Sequence, residues 1–220
     1  AIAVHIANGS AWLNDLYRHP VPIAATLHRF RIPTVAAFND VLLSEIPHQF
    51  PKLRWGFVEA SAQWLPWVLH EAKNRFKTLG REWRDNIARE YRMFVTCENS
   101  DDLPYIVNEA GEDCLVVGTD YGHTDISSDI DAIKLFRQRT DLPEHVKRKI
   151  LSDNARALYE HLKSARPDLS QVRYGVFGLG DRTYAETFNF GGKRFDELLS
   201  ELGAERIGER HMHDASSGVL

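Results

Sequence analysis

Three polar residues stand where apolar runs end. His5 closes Ile2-Ala3-Val4, Glu59 follows Trp55-Gly56-Phe57-Val58, and Asp120 follows Leu115-Val116-Val117-Gly118-Thr119. An imidazole and two carboxylates gathered at strand ends could hold a divalent cation and move protons, because such groups are costly to bury unless paired, protonated or bound to a cation. Each is weak evidence alone, since a single His or Asp on an apolar strand is more often a satisfied core group. A second set lies further along the chain. Gly178 and Gly180 end an apolar run and are followed by Asp181, Thr183, Tyr184, Phe188 and Asn189, then by a helical stretch; Asp214 stands in the acidic turn after the next expected strand. Glycines after a strand let the backbone approach a ligand, and aromatics in the next loop offer a stacking face. The same residues also suit a tight strand-to-helix turn with Phe188 and Phe190 packed beneath it.

The elements that must position these groups alternate along the chain. Strands are expected at Ile2–Ile6, Leu53–Glu59, Met93–Glu98, Cys114–Asp120, Val172–Leu179 and Arg206–Arg210. Helical spacing of apolar residues marks 34–46, 61–79, 102–110, 127–138, 144–164 and 190–202, with Val35, Phe38, Leu42 and Ile46 as one example. This alternation implies an α/β fold with mainly parallel strands, because parallel neighbours need crossover connections. In such folds functional groups collect at the carboxyl ends of strands. Pro20, Pro22 and Pro33 interrupt the segment after the first strand, and 166–170 reads as a turn between helix and strand.

Composition excludes several classes. With 220 residues, 43% hydrophobic, the chain can bury a substantial core. A net charge of −4 with interleaved signs argues against a nucleic-acid partner. No apolar run approaches the roughly 20 residues of a membrane helix, and the first residues lack a signal-peptide pattern, so no membrane partner is expected and the cytoplasm is the expected compartment. Cys97 and Cys114 have no metal-finger spacing and read as reduced core thiols. The apolar strand begins at the first residue without a polar lead-in, which implies that an upstream segment has been removed.

Residues 50–69 (FPKLRWGFVEASAQWLPWVL), 114–125 (CLVVGTDYGHTD) and 150–159 (ILSDNARALY) resemble the carboxyl-terminal half of the amidohydrolase-related family of metal-dependent hydrolases and decarboxylases. The resemblance covers about 1–158 and implies half of a distorted (β/α)8 barrel with a divalent metal, zinc or manganese, acting on a small-molecule substrate. By position His5 would be the fifth-strand metal ligand. Asp120 would be the eighth-strand aspartate, holding metal and activating its water. Glu59 stands where many members have a sixth-strand histidine and could be a metal ligand, a base or a structural acid. Such a metal lowers the pKa of bound water from about 15.7 toward about 7. The family's first-strand His-x-His pair has no counterpart ahead of His5, and His211-Met212-His213 falls in a different segment.

From Arg166 onward the character changes. Residues 174–192 (YGVFGLGDRTYAETFNFGG) and 201–218 (ELGAERIGERHMHDASSG) closely resemble the late part of a flavodoxin-like FMN domain, over about 159–220. The resemblance implies that the loop after Leu179, with Gly180, Asp181, Thr183, Phe188 and Asn189, lines the isoalloxazine. Tyr184 would stack on the ring and Asp214 would lie near it. The Ser/Thr/Gly-rich strand-to-helix turn that holds the FMN phosphate in that family is not found, which predicts weak binding. The two resemblances share Leu158–Tyr159, as a chimera joined inside one helix would. One layer of about six parallel strands is expected, since βα units of both kinds share right-handed crossovers. A homodimer would cover its open edges. Three functions follow from the sequence: a metal-dependent hydrolase or decarboxylase, an FMN-binding electron-transfer module, or a scaffold with neither activity.

Overall fold

The computed structural model describes residues 2–6, 11–118, 131–180 and 189–214, and divides into two compact units, Ala1–Asn154 and Ala155–Leu220. In the first unit β1 (Ile2–His5), β2 (Trp55–Val58), β3 (Met93–Cys97) and β4 (Leu115–Val117) form one sheet in the order β1-β2-β3-β4. All three pairings are parallel, with Ile2 opposite Trp55, Phe57 opposite Val95, and Cys97 opposite Val117. Strand order follows chain order without reversal, as in a segment of a barrel, whereas a doubly wound sheet reverses at a switch point.

The helices of this unit are α1 (Ala11–Leu16), α2 (Ile32–Leu43), α3 (Ile46–Gln49), α4 (Leu65–Thr78), α5 (Ile87–Glu90), α6 (Leu103–Ala110), α7 (Ala132–Gln138) and α8 (Glu144–Arg148). A 3-10 turn at Pro22–Ala25 and a π turn at Leu27–Arg31 lead into α2. Pro33, Pro66 and Pro104 sit in the first turns of α2, α4 and α6, where a missing N–H costs nothing. Asp102 caps α6, its carboxylate accepting from the Tyr105 N–H at 3.3 Å. The core forms where the helices cover alternate strand residues: Phe57, Met93, Val95 and Leu115 are fully buried against Phe38, Leu65, Phe76 and Phe136. Phe38 meets Phe57 and Trp64 edge to face, with ring centroids 5.0 and 5.1 Å apart.

A single helix was expected over 144–164, but α8 runs into a π turn, Lys149–Asp153, and then α9 (Asn154–Ala165). The π turn has a physical cause. Lys149 Nζ bonds Glu112 and Asp113 at 2.6 and 2.8 Å, while Asn154 Nδ2 donates to the Glu112 and Leu115 carbonyls at 2.8 and 2.7 Å. A widened turn brings residues i and i+5 onto one face, so both side chains reach the segment entering β4.

In the second unit β5 (Arg173–Tyr174) pairs in parallel with β7 (Glu205–Arg206), and β6 (Phe177–Gly180) with β8 (His211–Asp214), across α10 (Phe190–Glu201). The expectation that Leu115–Asp120 and Val172–Leu179 share one six-stranded layer is therefore corrected. Among the described residues, strand pairing gives a four-stranded sheet and two two-stranded sheets. β5 and β6 take as partners the strands reached through the short α10 crossover, whereas the connection back to β4 runs through α7, α8 and α9. The expected strand Arg206–Arg210 is likewise replaced by a break. Gly208, at φ +76°, turns the chain between β7 and β8.

Candidate functional site

The first unit gathers polar side chains at the carboxyl ends of its strands. His5, Glu59, Thr96, Glu98 and Gly118 line a cavity of about 160 Å³ there. His5 Nε2 lies 2.5 Å from Glu59 Oε2, across the adjacent strands β1 and β2. The imidazole is 57% exposed and the carboxylate 8%, so the pair spans the cavity mouth. Glu59 adopts φ +68°, a left-handed conformation uncommon for a non-glycine residue, and its N–H donates to Thr96 Oγ1 at 2.8 Å. Gly118 closes the cavity on the β4 side. A Cβ there would come within 3.1 Å of Thr96 Cβ, so glycine allows the approach.

Two residues that sequence reasoning did not single out organise this end of the sheet. Asp101 is buried, and its carboxylate accepts from the Ser61 hydroxyl, the Ala62 N–H at 3.0 Å and the Glu98 N–H at 2.8 Å. It thus ties the loop after β2 to the loop after β3. Glu98 faces the cavity and is met by Arg31 Nη2 at 3.3 Å. Both lie in the polar run Glu98-Asn99-Ser100-Asp101 directly after a strand, the signal that could have marked them.

The expected metal ligands are placed as follows. His5 reaches the site, and Asp120 lies outside the described residues. The ring of His5 is engaged on both sides, Nδ1 with the Ile6 carbonyl oxygen and Nε2 with Glu59. Among the described residues no group of three His, Cys, Asp or Glu side chains could hold a metal ion.

In the second unit, the register pairs Phe177 with His211, Leu179 with His213, and Gly180 with Asp214. Segments 181–188 and 215–220 therefore leave from the ends of neighbouring parallel strands, the end where α/β folds place ligands. Of the expected flavin-lining residues, Leu179, Gly180 and Asp214 are the last residues of β6 and β8. Asn189 is buried and precedes α10 at φ +53°, while Asp181, Thr183, Tyr184 and Phe188 lie outside the described residues.

α10 is held beneath this edge by Asp196, which is 4% exposed. Its carboxylate accepts from Tyr174 Oη at 2.9 Å, Arg206 Nη1 at 2.6 Å and Arg210 Nη1 at 3.1 Å. Burial first, then the bond to Asp196, raise the Tyr174 phenol above its ordinary pKa.

The sequence profile of the flavodoxin family matches residues 87–218. NADPH–cytochrome P450 reductase from Oryctolagus cuniculus is 51% identical over 68 residues, 31% of this chain and 10% of the relative. The sulfite reductase [NADPH] flavoprotein alpha-component of Vibrio cholerae is 52% identical over 59 residues, 26% of this chain and 9% of that protein. The chain thus spans about a tenth of the length of these curated relatives. Among solved structures, 5-carboxyvanillate decarboxylase from Sphingomonas paucimobilis has a TM-score of 0.54 at 18% identity, covering 73% of this chain and 49% of its own. An amidohydrolase from Mycobacterium avium subsp. paratuberculosis has a TM-score of 0.55 at 18% identity, covering 71% and 41%. These two likenesses concern the fold.

Proposed function

The chain belongs to the flavodoxin family, and from that premise we propose that its second unit receives the isoalloxazine of FMN at the carboxyl ends of β6 and β8 and serves as an electron-transfer module. The observation that carries this reading is the parallel register setting Gly180 beside Asp214, from which both ligand-lining segments depart. Gly180 presents backbone without a side chain at that edge. Tyr184 supplies the stacking face, Asp181, Thr183, Phe188 and Asn189 belong to the loop that lines the ring, and Asp214 brings an acidic group to the ring's margin. The flavin, when bound, supplies reversible electron transfer that these side chains do not provide; the chain's part is to bind and orient it. The likeness to the two reductase flavoproteins supports the reading, while reductase activity belongs to proteins of which the matched segment is only about a tenth.

Among the described residues no Ser/Thr/Gly-rich strand-to-helix turn of the phosphate-binding kind occurs. The ring therefore carries the affinity, and stacking on one aromatic is worth only about 1 kcal/mol beyond burial. The test is to compare FMN with riboflavin, which lacks the phosphate. Equal, weak affinities support the reading.

A second reading concerns the first unit. The strand-end cavity with His5, Glu59 and Glu98 favours a small-molecule site of hydrolase or decarboxylase type, in which Glu59 and Asp120 would transfer protons.

A further inference from the structure

We propose that two copies of the chain join through the outer edge of β1, which pairs antiparallel with the same strand of the partner subunit across a two-fold axis. β1 is the outermost strand of its sheet and among the described residues pairs only with β2. The Ile2 N–H donates to the Arg54 carbonyl oxygen at 2.8 Å. In a parallel ladder the N–H and C=O of one residue turn to the same neighbouring strand, and those of the next residue turn away from it. Ile2 and Val4 therefore bond β2, while Ala3 and His5 direct both backbone groups out of the sheet, where each needs a partner or water.

The two edges of this sheet differ. At β4 the Val95 N–H donates to the Cys114 carbonyl oxygen at 2.8 Å, which turns Leu115 outward, and the Leu115 carbonyl oxygen accepts from Asn154 Nδ2 at 2.7 Å. That edge is covered. β1 has no such cover among the described residues, and it carries no proline, lysine or bulge, the devices that keep an edge from pairing with another chain. Head-to-tail pairing of β1 with β4 of another copy would meet Asn154, so the strand that fits β1 is β1 itself, reversed. With Val4 on the axis, Ala3 stands opposite His5 of the partner subunit and exchanges both backbone hydrogen bonds with it, and the two-fold repeats the pair.

Apolar surface accompanies this edge. Ile2 is exposed, and the chain that follows β1 exposes Trp12 at 68%, Leu16, Ile23 at 70% and Leu27, with no buried residue anywhere in α1. Large apolar side chains left in water beside an open edge mark an interaction surface. The pairing also bears on the strand-end cavity. His5 lines it together with Glu59, so the strand that presents this imidazole is bordered on both sides only in the dimer.

The test is sedimentation velocity of the full chain over a range of concentrations, joined to a cross-link at the axis. A reversible dimer is expected. Ala3→Pro removes an outward N–H from each copy while sparing the ladder to β2, and is expected to raise the dissociation constant at least about tenfold. Ile2→Lys, at an exposed position, places a like charge on both edges and is expected to weaken association similarly. Circular dichroism verifies that each variant is folded. Val4→Cys sets a thiol on the axis, where mild oxidation is expected to link two copies, whereas Ile2→Cys stays unlinked; Cys97 and Cys114 are buried and do not compete. A linked Val4→Cys dimer together with weaker association in either folded variant supports the pairing. A wild type still monomeric at about 100 µM, where even weak association shows, or an assembly lacking either of those two properties, overturns it.

Discussion

Asp101 Oδ2 accepts the N–H of Ala62 at 3.0 Å, so a buried carboxylate after β3 fixes the chain leaving β2. The same oxygen takes the Glu98 N–H at 2.8 Å, and the other oxygen takes the Ser61 hydroxyl. Asp101→Ala leaves these donors buried without acceptors, and each unsatisfied group costs about 1–3 kcal/mol. A destabilisation of about 3 kcal/mol or more is expected from the urea midpoint. Asp101→Asn, which keeps one acceptor, is expected to fall between that variant and the wild type.

In the second unit, Asp196 holds α10 against β5 and β7 through Tyr174, Arg206 and Arg210. Asp196→Ala leaves the Tyr174 hydroxyl without this acceptor and removes the shared carboxylate of both arginines. Amide exchange at Tyr174 and Ile207, whose backbones are bonded at 2.7 Å, is expected to accelerate by about 100-fold, equivalent to about 3 kcal/mol. Exchange in β2 and β3 is expected to remain unchanged. A uniform acceleration across both units would contradict this local role.

Burial pushes the Cys114 thiol up to about 12 and raises Cys97 further, with desolvation the first cause in each case. Neither cysteine is expected to react with a disulfide reagent in the native state. The linkage has a definite sign. With folded values above the unfolded value of about 8.5, the native state keeps its protons longer, so stability is full below that pH and falls as pH rises toward about 12. Cys114→Ala lowers stability throughout by leaving a void, but its urea midpoint falls less steeply between about pH 8 and pH 11.

No metal-dependent turnover is expected from the first unit. His5, Asp120 and Glu59 offer at most three ligands, too few for a closed four-coordinate zinc site. With zinc or manganese added, hydrolase or decarboxylase rates are expected to equal those of the free metal. A wild-type rate well above that background, abolished in both His5→Ala and Asp120→Ala, would establish a working site.

Much of the fold is legible in the sequence where one face is buried. Phe57, Met93 and Val95 alternate with partly exposed neighbours in β2 and β3, and Val35, Phe38 and Leu42 carry the buried side of α2. Short elements were not legible. α3 and α5 span a single turn each and have no period to detect. The π turn before α9 follows from tertiary bonds of Lys149 and Asn154 rather than from local spacing. Strand-end polar residues drew attention to His5 and Glu59, and the structure pairs them; the partner of Glu59 was unforeseen because strand adjacency is not a local property. Glu98 was read only as the end of a strand and Asp101 was not singled out, since a polar run after a strand looks the same whether its carboxylates are buried or solvated.

The central claim is that the second unit binds the flavin ring without a phosphate anchor, and titration of the full chain with FMN and with riboflavin, followed by quenching of flavin fluorescence, tests it most directly. The account predicts saturable quenching by both, in the micromolar range or weaker, with dissociation constants within about threefold of each other, a difference of less than about 1 kcal/mol. Stoichiometric FMN binding at nanomolar concentrations with riboflavin far weaker, or no saturable quenching by either flavin, would contradict it.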